Sequence, residues 1–475
     1  MSKKIIVISL LASMMYLGGC ADKSKTNPVA TKIESLQQQY ETVKQYNSFL
    51  EIDFDNVKNQ AKALDAQPIK GALHGLTIAV KDNIDALPYH TTAGTKAFAG
   101  YKPTKNASTV QRLVDQGALM VGKTNMHELA FGITNINASY GTAHNAINFD
   151  YIAGGSSGGT AVAVALGLVD AGLGSDTGGS GRIPAAFNGV VGFRPTTGRY
   201  ANDGLVPISP TRDTVTIMAK TVDLVRTLDA VLSGTKPSSK KFKPEEISSI
   251  TIGIPRNYFY ESLTPEVSQN IELAIAILKR LGAKIVEAPL PGVGELNEKI
   301  SFPIVLFESG KGFNELLATY APNLTNPKDF LNNVQSPDVR ATYEKFIIPH
   351  GIPESVYTDA IANKRPELQA LYKKYFEEHK IDIILIPVTP SQTIPIAGNE
   401  EQFKLNGKMV PTFQTMIKNM DPSSNAGIPG IAIPFGKTLT GIPIGIELES
   451  FEGNDEYLLA VAELILSLLQ KESTP

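Results

Sequence analysis

Two serine- and glycine-rich segments and one lysine have the residue types and spacing that suit catalysis. Ser156 lies in the segment GGSSGG, Ser180 lies further along in GSDTGGSGR, and Lys81 ends the apolar run LTIAVK. A serine hydroxyl is a poor nucleophile until a neighbouring base accepts its proton, and lysine can replace histidine as that base. The combination therefore indicates a serine hydrolase with a lysine base.

Other kinds of site fit these segments less well. The six histidines show no HExxH or other metal-ligand spacing, and neither segment has the pattern of a P-loop or of a dinucleotide-binding loop. Taken singly, GGSSGG is typical of a flexible linker, TGGSG of an anion-binding turn, and a lysine after a strand of a solvated strand end. Only their joint presence favours catalysis.

These three motifs resemble, in order and spacing, those of the amidase signature family, whose members hydrolyse carboxylic amides with a Ser-cisSer-Lys triad. The resemblance implies that Ser180 is the nucleophile and Lys81 the base. Ser156, preceded by a cis peptide bond, would bridge them. It also implies an α/β fold with one large mixed β-sheet surrounded by helices, and it calls for neither a metal nor an organic cofactor.

The resemblance also assigns supporting roles around the candidate nucleophile. Backbone amides of consecutive residues would stabilise the oxyanion, a contribution of about 2.7 to 4 kcal/mol per donor. These oxyanion-hole residues would be Thr177, Gly178, Gly179 and Ser180. The supporting residues would be Ser157, Asp176 and Arg182, with the last two orienting the loop, and Ala130 would line the acyl side of the substrate pocket.

Two single positions carry further expectations. Lys81 must be uncharged part of the time to accept a proton near neutral pH, so burial must lower its pKa. Its place at the end of an apolar run predicts that burial. Gly181 departs from the family pattern, in which Ile or Val usually follows the nucleophile. This glycine could loosen the turn or make room for substrate.

The N-terminus predicts export. A short basic start is followed by an apolar run at residues 5–17 and by LGGC ending at Cys20, which resembles a bacterial lipoprotein signal. Residues 1–19 would be removed, and a lipid on Cys20 would hold the protein on a bacterial membrane, at its periplasmic or extracellular face. The alternative is an uncleaved N-terminal anchor. Cys20 is the only cysteine, so no intramolecular disulfide can form.

Composition places the rest of the chain among ordinary globular proteins. Of the 475 residues, 42% are hydrophobic and 19% are charged, with a net charge of −3, which argues against nucleic acid as a partner. We expect a tether at residues 20–30 and a single amidase domain at residues 31–475, with an exposed surface loop at about residues 233–249.

Alternating strand and helix patterns independently predict an α/β protein. Apolar residues at helical intervals predict a helix over residues 31–53, and Ser108 is the expected N-cap of a helix reaching Asp115. A strand ends at Lys81. Further strands are predicted at residues 119–122, 250–255, 381–387, 427–434 and 444–449, and further helices at residues 158–167, 183–187, 265–281 and 454–470.

The substrate class rests on two strings, HELAFGIT at residues 127–134 and GRYANDGLVPISPTRDT at residues 198–214. They are most similar to arylacetamide-type members of the family, the indoleacetamide and mandelamide hydrolases. That similarity implies a small primary amide beside an aromatic group, which would be cleaved with release of ammonia. The alternatives are an A-type subunit of a glutamyl-tRNA amidotransferase, a non-catalytic solute-binding lipoprotein, and an amidase for longer peptide or acyl amides.

Overall fold

A mixed β-sheet of eleven strands organises the part of the chain that the computed structural model describes, residues 28–473 except 237 and 325. Two further strands form a separate hairpin. The expected α/β class with one large mixed sheet is confirmed. The strands are β1 (Phe49–Ile52), β2 (Thr77–Lys81), β3 (Leu119–Thr124), β4 (Ala171–Asp176), β5 (Val191–Arg194), β6 (Thr214–Ala219), β7 (Thr251–Ile254), β8 (Lys284–Glu287), β9 (Ile383–Pro387), β10 (Gln402–Leu405), β11 (Lys408–Pro411), β12 (Gly430–Lys437) and β13 (Pro443–Glu449).

Helices pack on both faces of the large sheet. They are α1 (Val29–Val43), α2 (Phe54–Asp65), α3 (Ser108–Asp115), α4 (Gly158–Ala165), α5 (Arg182–Asn188), α6 (Val222–Ser233), α7 (Arg256–Phe259), α8 (Pro265–Arg280), α9 (Val293–Tyr320), α10 (Pro327–Asn333), α11 (Pro337–Thr342), α12 (Glu354–Asp359), α13 (Arg365–His379), α14 (Thr412–Ile417), α15 (Asp421–Ala426) and α16 (Asp455–Ser473). One apolar core joins the sheet to α3, α6, α8 and α16, and another joins it to α1, α2, α4 and α5.

The strand order brings the candidate catalytic segments together at the carboxyl ends of neighbouring strands. The order is β1-β3-β2-β4-β6-β5-β12-β13-β9-β7-β8, and β2 runs parallel to both β3 and β4. Every residue of β2 and β4 is buried, as expected of parallel strands with both faces covered. Because the strands are parallel, Lys81 and Ser175 emerge side by side at their carboxyl ends.

Side-chain alternation then decides which face of the sheet Lys81 occupies. Ile78 and Val80 belong to the core under α6 and α16, whereas Ala79 belongs to the core under α4. Lys81 follows the direction of Ala79 because successive side chains of a strand point to opposite faces. It therefore points toward the helix that begins within GGSSGG, at Gly158. That helix, α4, consists of small and apolar residues, and its Gly158 to Val164 are all buried.

The predicted helix over residues 31–53 is wrong in its second half. Helix α1 ends at Val43, a short 3₁₀ turn follows, and Asn47 has a left-handed φ of 52° that reverses the chain. Phe49–Ile52 then forms the edge strand β1, paired antiparallel with β3. Pairing with the sheet has overridden a helical apolar pattern, which is a common outcome for short segments.

The helix predicted after Ser108 is present, but its cap differs. Ala107 occupies the N-cap position and Ser108 is the first helical residue. The Ser108 hydroxyl donates to the Asp203 carboxylate at 2.8 Å instead of capping the helix from within. The remaining predicted strands and helices are confirmed, with ends displaced by a few residues.

Several predictions for the N-terminus lie outside the described residues. They are the signal peptide at residues 1–19, Cys20, and all but the last residues of the tether at 20–30. Helix α1 already begins at Val29. Among the residues that are described, no helix combines the length and apolar character needed to cross a membrane.

Candidate active site

Strand β2 ends by placing the Lys81 amine among hydroxyl groups. Its Nζ lies 2.7 Å from Ser156 Oγ and 2.7 Å from Ser175 Oγ, and the side chain is completely buried. Burial lowers the pKa of Lys81 to about 7, although the charges of Asp176 and Asp213 favour the protonated form. A substantial fraction of the amine is therefore uncharged near neutral pH.

The GGSSGG segment lies directly against the end of β4. The Gly155–Ser156 peptide bond is cis, at the position where the resemblance implies one. The Ser156 carbonyl accepts a hydrogen bond from the His127 amide at 3.0 Å. Ser157 reaches both neighbours, because its hydroxyl donates to the Ser175 carbonyl at 3.1 Å and its amide donates to the Ser180 carbonyl at 3.1 Å. Ser157 thereby links the two serine segments.

Asp176 organises the loop that carries Ser180. Its carboxylate accepts from the Gly179 amide at 2.6 Å and from the Gly181 amide at 3.1 Å. Arg182 and Arg194 both pair with it at 3.1 Å. Burial would raise the pKa of Asp176, but the two guanidinium groups outweigh burial and hold that pKa well below its usual range. The loop therefore folds around a permanently ionised carboxylate.

The loop amides divide into engaged and free donors. Since Gly179 donates to Asp176, its amide is not free to bind an oxyanion, which differs from the predicted set of four donors. Within the described residues, the amides of Thr177, Gly178 and Ser180 form no hydrogen bond. The Thr177 hydroxyl donates to Asp213 at 2.5 Å, and this contact fixes the start of the loop.

Arg182 connects this loop to the C-terminal part of the chain. Its guanidinium donates to Ser424 Oγ at 2.6 Å, to Ser423 Oγ at 3.0 Å and to Glu447 Oε1 at 3.0 Å. The serines belong to α15 and the glutamate to β13. Burial raises the pKa of Glu447 to about 8 even though Arg182 opposes the shift. Arg182 thus links the Ser180 loop to the C-terminal part of the chain, and its orienting role stays a prediction.

A cavity opens at Ser180, whose side chain is 8% exposed. Ala130, the predicted pocket residue, lines it together with Thr177 and Gly178. The other apolar residues that line this cavity are Phe131, Ile133, Ile208, Phe302, Val305, Phe413 and Ile417. Its charged residues, Arg212 and Asp421, form an ion pair with each other.

The sequence model of the family described as Amidase matches residues 32–459. The chain belongs to the amidase family. It is 38% identical over 458 residues to an indoleacetamide hydrolase of Rhizobium radiobacter, with 96% of each chain covered. It is 37% identical over 448 residues to a mandelamide hydrolase of Pseudomonas putida, covering 90% of this chain and 86% of that one.

Solved structures agree with this family. A crystal structure of an amidase superposes with a TM-score of 0.81 at 32% identity and covers 94% of this chain and 96% of its own. The peptide amidase of Stenotrophomonas maltophilia superposes with a TM-score of 0.75 at 25% identity, covering 93% and 94%. This amidase is accordingly a hydrolase of linear amide C–N bonds.

Several residues of the amidase site had not been singled out from the sequence. Asn83 and Ser175 adjoin recognised motifs, because Asn83 belongs to the string VKDN and Ser175 directly precedes Asp176. Asp213 lies inside the string GRYANDGLVPISPTRDT, which indicated only a substrate class. Arg194 and Glu447 had no local signal. They reach the site through β5 and β13, so only the strand order could have revealed them.

The glycine after Ser180 does not enlarge the substrate pocket. A Cβ atom on Gly181 would lie 2.6 Å from Thr216 Oγ1 and 2.8 Å from Thr216 Cγ2. Thr216 is buried on β6, so the space beside Gly181 belongs to the sheet and not to the cavity. The expectation that Gly181 makes room for substrate is wrong, and the pair of Gly181 and Thr216 explains the departure from the family pattern.

Gly181→Ala should lower the free energy of unfolding by about 1–3 kcal/mol, because a methyl group overpacks the contact with Thr216. Urea unfolding of the single variants and of the double variant with Thr216→Ala measures the coupling. Thr216→Ala is a suitable partner because its buried hydroxyl has no hydrogen-bond partner among the described residues. An equal cost of Gly181→Ala in both backgrounds would contradict this account.

Proposed function

We propose that this amidase is an exported, lipid-anchored enzyme that hydrolyses a small aryl-substituted primary amide to a carboxylate and ammonia through an acyl intermediate on Ser180. The observation that carries the proposal is the Lys81 amine 2.7 Å from the Ser156 hydroxyl, in a segment hydrogen-bonded to the Ser180 loop. A buried amine beside a hydroxyl supplies the base that a serine nucleophile needs.

The first half of the reaction forms the acyl enzyme. Neutral Lys81 takes the hydroxyl proton of Ser156 while Ser156 takes that of Ser180, and Ser180 Oγ attacks the amide carbonyl. The free amides of Thr177, Gly178 and Ser180 bind the resulting oxyanion. As the tetrahedral intermediate collapses, the proton returns through Ser156 to the leaving nitrogen, the C–N bond breaks and ammonia departs.

The second half releases the acid. A water molecule takes the place of the amine, and Lys81 removes one of its protons through Ser156. The hydroxide attacks the ester carbonyl, the same amides bind the oxyanion, and the bond to Ser180 Oγ breaks as that oxygen regains its proton. The product leaves as the carboxylic acid, which becomes the carboxylate by giving its proton to solvent or to the released ammonia. The enzyme is unchanged, and Lys81 ends each half-reaction neutral.

The cavity supports an aromatic acyl group. Phe131, Phe302 and Phe413 line it, and the ring centroids of the last two lie 6.2 Å apart. Because Arg212 and Asp421 neutralise each other, the cavity favours an uncharged acyl group. The indoleacetamide and mandelamide hydrolases named above act, by their names, on amides of this type.

The proposed location rests on the sequence before the described residues. LGGC ending at Cys20 would be cleaved and lipidated, residues 20–30 would form the tether, and the amidase domain would follow from residue 31. Such an enzyme would meet its amide on the outer side of the membrane that carries the anchor.

A fluorophosphonate probe should label Ser180, as peptide mass spectrometry would establish. Labelling should halve near pH 7 and fall about tenfold for each lower pH unit, because protonated Lys81 accepts no proton. Lys81→Met should reduce the labelling rate by at least about a thousandfold, within the range set by loss of a catalytic base and of its relay. Labelling of another residue, or unchanged labelling in Lys81→Met, contradicts the mechanism, and a solute-binding protein would take no label.

Lys32→Met is the matched control for that experiment. Lys32 pairs with Asp170, which precedes β4 at the end of the strand opposite to Ser175. This variant removes a lysine on helix α1, at the opposite end of β4, without touching the serines. Its labelling rate and pH midpoint should equal those of the unaltered enzyme.

Primary arylacetamides should be hydrolysed with higher kcat/KM than acetamide or glutamine, as an ammonia-release assay would measure. Phe131→Ala should raise KM for an arylacetamide about tenfold, because it removes ring contacts worth roughly 0.5–1.5 kcal/mol and part of the apolar wall. Acetamide serves as the internal control, since it is too small to contact that wall. Preference for glutamine or for peptide amides would contradict the proposed substrate class.

Cys20→Ser should abolish both incorporation of radiolabelled palmitate and recovery of the enzyme in the membrane fraction. The thiol is the only acceptor of its kind in the chain. An uncleaved anchor would leave the variant in the membrane fraction, with residues 1–19 still detectable by N-terminal sequencing, and this result would contradict lipidation.

A further inference from the structure

Asn83 lies two residues after Lys81 and reaches the same hydroxyl group. Ser175 Oγ accepts a hydrogen bond from Lys81 Nζ at 2.7 Å and another from Asn83 Nδ2 at 3.0 Å. All three side chains are buried, with Asn83 2% exposed and Ser175 5% exposed. An amine and an amide therefore share the lone pairs of one hydroxyl oxygen, away from water.

This sharing affects the two forms of Lys81 unequally. The ammonium form carries three N–H donors and no lone pair, whereas the neutral amine has two donors and can also accept. A buried ammonium without a carboxylate therefore depends on the acceptors that surround it. An amide that donates to the same Ser175 oxygen weakens that oxygen as an acceptor, and this penalises the ammonium more than the amine.

We propose that Asn83 is a positioning residue for the hydrolysis: by donating to Ser175 Oγ, it limits how well that hydroxyl stabilises the Lys81 ammonium and so keeps Lys81 able to accept a proton. This inference rests on the proposed role of Lys81 as the base. Asn83 is not among the residues that line the cavity at Ser180, and its side chain donates to Ser175, so it acts through Ser175.

The other charged groups around Lys81 are already engaged. Asp176, at the end of β4, is paired with Arg182 and Arg194. Asp213, just before β6, accepts from the Thr177 hydroxyl and from the amides of Ile208 and Ser209. On the neighbouring strand β3, Lys123 is paired with Asp82.

Because those charged groups are engaged elsewhere, the hydrogen bond from Lys81 to Ser175 is the contact whose strength a neighbouring side chain can change. Asp176 and Asp213 favour the ammonium form of Lys81, and neither lies within ion-pair distance of its amine. Lys81 Nζ has two hydrogen-bond partners among the described residues, Ser156 Oγ and Ser175 Oγ. Of these two oxygens, the one on Ser175 also accepts from Asn83.

The test is the pH dependence of fluorophosphonate labelling of Ser180 in the full chain. Asn83→Leu should move the acid midpoint upward by about half to one pH unit. Ser175 Oγ then accepts a hydrogen bond only from Lys81, and it stabilises the ammonium form more strongly. Asn83→Asp should move it upward by about one to two pH units, because a carboxylate is added near the ammonium. Ser175→Ala should move the midpoint downward, because the ammonium loses an acceptor. Plateau rates should stay within about tenfold.

A structural role for Asn83 predicts a different result, a lower rate at every pH with an unchanged midpoint, and this would overturn the proposal. Asn137→Leu is the matched control. Asn137 is equally buried and donates to the backbone carbonyls of Gly94 and Met126, so its loss should shift no midpoint. If both Asn83 variants fail to fold by circular dichroism, an upward or absent shift in Ser175→Ala overturns the proposal.

The two proposals fail separately. If Lys81→Met loses labelling but the Asn83 and Ser175 variants keep the same midpoint, Lys81 remains the base. In that case Asn83 does not influence the pKa of Lys81. Persistent labelling in Lys81→Met removes the base itself, and with it any role for Asn83.

Discussion

The Lys81 amine is buried among hydroxyl groups, and in the described part of the chain no carboxylate lies close enough to form an ion pair with it. Taking an ammonium out of water in this way is costly, and the lower pKa is how the protein accommodates that cost. The position is imposed by strand β2, whose neighbours β3 and β4 hold its backbone from both sides. Pairing of β2 with its two neighbours therefore keeps the Lys81 amine buried, although an ammonium group is more stable in water.

Asp176 lies within a few residues of Ser175 and Ser180 and is also buried, but unlike Lys81 it has oppositely charged partners. It receives two guanidinium groups and two loop amides, so it remains ionised. The site therefore combines a lysine deprived of a counter-ion with an aspartate that has two. The first arrangement lowers the pKa of an amine, and the second orders a glycine-rich segment that would be flexible by itself.

Spacing and resemblance named Lys81, Ser156 and Ser180 as candidates because each lies in a short motif of distinctive residue types. The structure places Lys81 against Ser156, and the catalytic roles of the three residues stay predictions. Residues that arrive from other strands had no such signal. Glu447 and Arg194 became visible only once β13 and β5 had their places in the sheet.

Prediction of the secondary structure from the sequence has the same limit. Helix α4 and strand β2 could be predicted because composition and burial point the same way in both. Residues 49–52 could not, because their apolar spacing suits a helix and only pairing with β3 makes them a strand. The role of Gly181 was equally hidden, since its meaning depends on Thr216 across the sheet.

The Arg182 bridge imposes an order of assembly on the molecule. Residues 81, 156 and 180 all lie in the first half of the polypeptide, yet the partners of Arg182 on α15, β13 and the residue before α15 lie 238 to 265 positions further along. Strand β5 likewise finds its neighbour β12 only near the end of the chain. A nascent chain emerging from the ribosome thus carries every reactive side chain long before its hydrolytic centre can close, and maturation awaits the C-terminal strands.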